Sequence, residues 1–157
     1  MLYSKINGRE VFNLNSEIEK FLESRNQTNE YYKLATGTKN HRIELPDPIQ
    51  RLILENIYPT FSEDFNPSKI KTYDFQDSTG KFIELKSGFK NGNVPFKTNQ
   101  NNCFRIIFCM YDANSIEVHE IEQKDVQVIN SMVKNGTVNI NLSRYANDDT
   151  LKYKQTF

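Results

Sequence analysis

Apolar and polar positions change their period several times along the chain, and each change predicts an element. Leu2 to Ile6 and Arg9 to Leu14 alternate around Asn7-Gly8, a pair that tolerates the positive φ of a tight turn, so a β-hairpin comes first. Ser16 and Glu19 have the spacing of a capping box, and Ile18, Phe21 and Leu22 continue it as a helical stripe ending near Arg25-Asn26. Residues 26–45 are polar and read as a loop. Asp47-Pro48 opens a second helix, with Asp at the N-cap and Pro at the first helical position. Ile49, Leu52, Ile53 and Ile57 form its apolar stripe, and Pro59 ends it.

Further on, Ile70 to Phe75 and Lys81 to Ser87 read as strands joined by Asp77-Ser78-Thr79-Gly80. Residues 88–102 form a polar loop. Cys103 to Tyr111 is almost continuously apolar, as in a strand covered on both faces. Ser115 to Gln123 alternates, Lys124 to Lys134 suits a helix closed by Asn135-Gly136, and Val138, Ile140 and Leu142 alternate on a short strand before a polar tail. This order predicts an α/β (α+β) fold with a mixed central sheet and flanking helices. No repeat or second core is visible. A single domain is therefore expected over 1–157, with an N-terminal elaboration over 1–45 and the catalytic core over 46–145.

Composition narrows the class. The chain has 157 residues, room for one sizeable core, and its 11 Phe and 8 Tyr offset a low apolar fraction of 37%. Lys plus Arg equals Asp plus Glu at 20 each, which argues against a polybasic protein but leaves a local basic face open. No apolar run approaches the roughly 18 residues of a membrane-spanning helix. The opening MLYSKINGREVF lacks the apolar centre of a secretory signal, so a cytoplasmic protein with no membrane partner is expected. Cys103 and Cys109, about 20 Å apart along one strand, are beyond disulfide reach and read as buried thiols. With two histidines and no P-loop, histidine catalysis and a nucleotide cofactor are not expected.

Chemistry concentrates in Tyr73-Asp74-Phe75 and Phe82-Ile83-Glu84-Leu85-Lys86. On a strand, Glu84 and Lys86 share one face while Ile83 and Leu85 point to the other. A three-residue loop, Ser78-Thr79-Gly80, with Gly80 at the left-handed bulge position, pairs residue 77 with 81 and Asp74 with Glu84. A two-residue loop would put Asp74 on the opposite face. In the first register the two carboxylates are cross-strand neighbours, with Cβ atoms roughly 5 Å apart. They repel unless a positive charge intervenes, either Lys86 or, better, a hard divalent cation such as Mg²⁺.

This arrangement resembles the PD-(D/E)XK nuclease superfamily, whose mark is an Asp, a variable spacer and Glu-x-Lys on the next strand. The resemblance covers residues 69–112, with Tyr73 where the family often has Pro. It implies a restriction-endonuclease-like core in which Asp74 and Glu84 bind Mg²⁺, with Mn²⁺ as a substitute. Lys86 then orients a water and stabilises negative charge as phosphorus is attacked, leaving 5′-phosphate ends. Members often add a Glu from an N-terminal helix. Glu55 is the candidate, the other reading being an i,i+4 pair with Arg51. The superfamily usually places a helix after the Glu-x-Lys strand, and Gly88, Gly92 and Pro95 leave little room for one.

Residues 69–105 hold seven basic side chains against three acidic ones, a surplus that the rest of the chain balances. Lys71, Lys90 and Lys97 are candidate phosphate contacts, and Asn91, Asn93, Asn99 and Gln100 candidate base-edge contacts, unless the loop is simply polar. Lys39 and Arg42 form a second candidate DNA contact. The small chain with Asn/Lys-rich loops resembles a type II restriction endonuclease, which implies a homodimer acting on double-stranded DNA. The alternatives are a structure-selective nuclease, such as a junction resolvase or repair nuclease, and a non-catalytic nucleic-acid-binding domain.

Overall fold

The computed structural model describes residues 3–6, 9–12, 14–36, 46–97, 99–112 and 115–156. The chain divides into two compact units, Met1–Pro59 and Thr60–Thr156. In the first, β1 (Tyr3–Ile6) and β2 (Arg9–Phe12) pair antiparallel with Ile6 opposite Arg9, while the expected Asn7-Gly8 turn lies outside the described residues. Helix α1 (Leu14–Thr36) corrects two expectations: it begins before Ser16, and it runs past Arg25-Asn26 through much of the expected loop. Neither Gly nor Pro occurs from Leu14 to Thr36, so nothing breaks the ladder of backbone bonds. The extra turns were hidden because their sequence shows no apolar stripe; Tyr31 and Leu34 are exposed.

Helix α2 (Asp47–Ile57) has its N-cap at Pro46, not Asp47. Asp47 makes no capping bond but sits in the first turn, where its charge complements the helix dipole. The buried face is Gln50, Ile53 and Leu54, rotated from the expected stripe. The Tyr58 N–H closes the helix on the Leu54 carbonyl, immediately before Pro59.

The second unit contains α3 (Phe61–Asp64), β3 (Asn66–Pro67), β4 (Phe75–Gln76), β5 (Phe82–Phe89) and β6 (Val94–Phe96). It continues with β7 (Cys103–Tyr111), β8 (Ser115–Glu120), α4 (Gln123–Met132), β9 (Val138–Ile140), a 3-10 turn and β10 (Leu151–Thr156). Six strands form one mixed sheet in the order β10-β8-β7-β5-β4-β3, in which β5 and β7 run parallel and the other pairs antiparallel. The fold is therefore α+β with a mixed sheet, the class the pattern predicts.

Three local expectations are corrected. The strand expected over Ile70 to Phe75 shortens to β4, preceded by turns. The 88–102 loop contains β6, which pairs with β9 as a small second sheet. The polar tail is an edge strand, β10, paired with β8. No helix lies between β5 and β7 among the described residues, as Gly88, Gly92 and Pro95 suggested.

One core cluster of this unit lies on one face of the sheet, while Ile83, Ile107, Cys109 and Val118 are buried on the other. Ile106, Phe108 and Met110 of β7 pack with Val126 and Ile129 of α4, Val94 and Phe96 of β6, and Ile140 of β9. Asn130 fastens α4 to the start of β7 by accepting from the Cys103 N–H at 3.1 Å and donating to its carbonyl at 2.8 Å. Gly88 permits a close approach here: a Cβ on it would stand 2.8 Å from Val94 Cγ1. Phe61, Phe65 and Phe75 form a second, aromatic cluster with centroids 4.9–5.9 Å apart. Both cysteines are free and buried, and burial pushes each thiol up to about 12, so neither is a ready nucleophile. No helix among the described residues is long and apolar enough to cross a membrane.

Candidate active site

The β4–β5 hairpin adopts the three-residue loop. Phe75 pairs with Ile83 and Gln76 with Phe82, and the Asp77 N–H donates to the Lys81 carbonyl at 2.9 Å. Gly80 has φ +85°, the left-handed value the bulge requires. Asp77 locks the turn by accepting from the backbone N–H groups of Thr79 and Lys81 at 2.9 and 3.0 Å. Continued one residue beyond β4, this register sets Asp74 against Glu84.

The two carboxylates are in unlike surroundings. Asp74 is exposed, and its Oδ2 accepts from the Leu85 N–H at 2.8 Å, so the Glu-x-Lys strand itself holds it. Glu84 is only 3% exposed, on the face β5 shares with Ile106 and Phe108. Burial, then the hydrogen bond and charge of Asp74, push the Glu84 carboxyl up to about 9, against a weaker pull from Lys86 and Lys97.

Lys86 is half-buried on the same face. Its Nζ donates to the Pro95 carbonyl at 2.8 Å and to Gln100 Oε1 at 3.1 Å, and stands 4.6 Å from the centroid of Phe96. Burial lowers its pKa, while Glu84 and Asp74 raise it. β6 thus supplies both a carbonyl and an aromatic face to the lysine.

Gln100 departs from the expected role of base-edge contact. It is buried, and its amide is fully engaged within the protein. Nε2 donates to the Thr72 carbonyl at 3.0 Å and to Glu84 Oε2 at 3.2 Å, while Oε1 accepts from Lys86 Nζ and, at 2.9 Å, from the Lys97 N–H. Sequence reasoning missed this use because a Gln in an Asn-rich loop looks like its neighbours.

The remaining candidates fall into groups. Lys97 is exposed and close enough to act on Glu84, and Asn99 Nδ2 donates to Thr72 Oγ1 at 3.0 Å, so both belong to this end of β5. Lys71 is exposed beside Thr72. Lys90 and Asn91 lie at the other end, roughly 13 Å along the strand from Lys86. There the Asn91 N–H donates to Ser143 Oγ at 2.9 Å, and both residues border a separate pocket of about 220 Å³ with Glu117 and His119. Asn93 is exposed in the turn before β6. Glu55 pairs with Arg51 at 3.0 Å on α2 of the first unit, the i,i+4 alternative weighed for it. Lys39 and Arg42 lie outside the described residues.

The donor set suits a hard cation. Asp74 and Glu84 offer carboxylate oxygens on one face, and the Glu84 carboxyl is raised first by its burial and then by Asp74 beside it. No group of three or more His, Cys, Asp or Glu converges among the described residues. An ion held by these two acids would complete its shell with water, carbonyl or phosphate oxygens, the habit of Mg²⁺ rather than of zinc. No family model matches this chain, and no curated protein matches it.

The Glu84 shift predicts a pH-dependent stability. The folded state keeps a proton that the unfolded chain releases near the ordinary glutamate value of 4.5, so this group's contribution is fully present below 4.5 and is lost as pH rises toward about 9. In EDTA, the melting temperature is expected to fall across that window. Glu84→Gln, which mimics the protonated acid, is expected to remove this component. Differential scanning fluorimetry of the two proteins at matched pH values checks it, and parallel pH curves would contradict it.

Proposed function

We propose that this protein is a Mg²⁺-dependent endonuclease that hydrolyses phosphodiester bonds in double-stranded DNA. Within that class, we read it as a cytoplasmic, homodimeric type II restriction enzyme of PD-(D/E)XK type, leaving 5′-phosphate ends. The observation that carries the reading is the facing pair Asp74 and Glu84, with Lys86 on the same face of β5.

Each residue has a task set by its surroundings. Asp74 and Glu84 would hold the cation, Mg²⁺ or Mn²⁺, which when bound polarises a phosphate oxygen and acidifies a water. Lys86 has three N–H donors, of which Pro95 and Gln100 take two. The third can orient the attacking water and stabilise charge developing on the phosphate. Lys71, Lys97 and Asn99 border this end of β5 and suit backbone contacts. The local positive surplus is smaller than the sequence count, because Arg105 pairs with Glu120.

Incubation with supercoiled plasmid in Mg²⁺ or in EDTA, followed by end sequencing, tests the reading. Mg²⁺-dependent cuts at discrete duplex sites are expected. Cleavage confined to branched DNA would assign a structure-selective nuclease instead, and binding without cleavage would leave only a nucleic-acid-binding domain.

A further inference from the structure

We propose that Gln100 is the positioning residue of this site, holding Lys86 and Glu84 at opposite ends of one amide. The inference rests on the nuclease reading for its catalytic meaning, but its geometry stands on the structure.

A primary amide has two N–H donors and an oxygen that accepts twice. At Gln100 all four capacities are taken, and each partner fixes one aspect of the placement. The Thr72 carbonyl can only accept and the Lys97 N–H can only donate. Together they determine which end of the amide is nitrogen and which is oxygen. The nitrogen then faces Glu84 Oε2 and the oxygen faces Lys86 Nζ. Both anchors are backbone groups, so the orientation does not depend on other flexible side chains.

This has two chemical consequences. Lys86 is held through an acceptor that carries no full charge, so its ammonium keeps its own charge for the phosphate. Glu84 receives its N–H on Oε2, leaving Oε1 outside that bond for a cation. Gln100 touches neither DNA nor the reacting atoms in this arrangement; it acts through Lys86 and Glu84. A base-reading Gln would need a free amide edge, which this one lacks.

The test uses Gln100→Met, which keeps length and apolar bulk but loses all four bonds, and Gln100→Glu, which keeps the oxygen facing Lys86. For Gln100→Met, single-turnover cleavage of plasmid in saturating Mg²⁺ is expected to slow by roughly 10- to 100-fold, with KM for DNA little changed. Gln100→Glu is expected to restore part of the Lys86 placement. In the metal-free protein, the Lys86 ammonium resonance is expected to show slow proton exchange with Gln100 present and solvent-like exchange in Gln100→Met. A rise in KM with an unchanged rate, or Lys86 exchange unaffected by Gln100→Met, overturns the proposal. If the wild-type protein cuts no DNA, the nuclease reading falls, and the exchange measurement still judges the bridge.

Discussion

Asp74→Ala and Glu84→Ala are each expected to abolish Mg²⁺-dependent cleavage of plasmid DNA, and Lys86→Ala to slow it severely, while the protein stays folded. The reasons differ by residue. Asp74 is exposed and anchored by one backbone N–H, so its removal takes away half of the proposed cation ligands at little structural cost. Glu84 is buried and carries a proton up to about 9 without a cation, so its loss removes no buried charge from the metal-free fold. Removing Lys86 leaves the exposed Pro95 carbonyl to water, while Gln100 Oε1 still accepts from the Lys97 N–H. Loss of its charge at the phosphate is expected to cost about 10²–10³-fold in rate, comparable to removing one oxyanion donor. Nicking assays give the rates, and circular dichroism shows whether each variant is folded. Full activity in all three would end the proposed mechanism.

The largest effect on stability is expected from Phe108→Ala. Phe108 is fully buried in the middle of β7, beside Lys86 of β5 and opposite His119 of β8. Strands flank it on both sides and α4, β6 and β9 contribute to the cluster above it, so the surroundings cannot collapse into the space left behind. Truncating a buried Phe costs about 3–5 kcal/mol, a large share of a domain's usual stability. Urea denaturation should show a lower midpoint with a similar slope. Phe104→Ala is the contrast: that ring is 36% exposed beneath the Lys81 ammonium, and its loss is expected to cost less than about 1 kcal/mol. Equal midpoints for the two variants would contradict the packing argument.

Local turn chemistry made much of the site legible in the sequence. The spacing of Asp77 and Gly80 sets the hairpin register, the register sets Asp74 against Glu84, and strand alternation sets Lys86 on the same face. The almost continuous apolar run of β7 likewise marks a central strand without any knowledge of its neighbours. What escaped was whatever depends on distant partners. β6 is three residues inside a polar loop, and it becomes a strand only because β9, far along the chain, pairs with it. The engagement of Gln100 depends on Thr72 and Lys97 converging on it, which no local pattern encodes. β10 carried a usable signal, Leu151 and Tyr153 alternating with Lys152 and Lys154, but charge disguised it as a tail. The second half of α1 gave no amphipathic stripe, and only the lack of Gly and Pro argued for it.

The two borders of the main sheet have a consequence for how copies of this chain can meet. One border is β3, two residues long and containing Pro67, which cannot donate to a further ladder. The other is β10, whose Lys152 and Lys154 place charge along the outer rim. Short strands, proline and lysine are the devices by which natural sheets refuse a seventh strand from outside. Sheet extension is thus discouraged as a means of joining two protomers. An enzyme that must cut both strands of a duplex would have to dimerise through helices or loops, which can separate and re-form around DNA more readily than a continuous ladder.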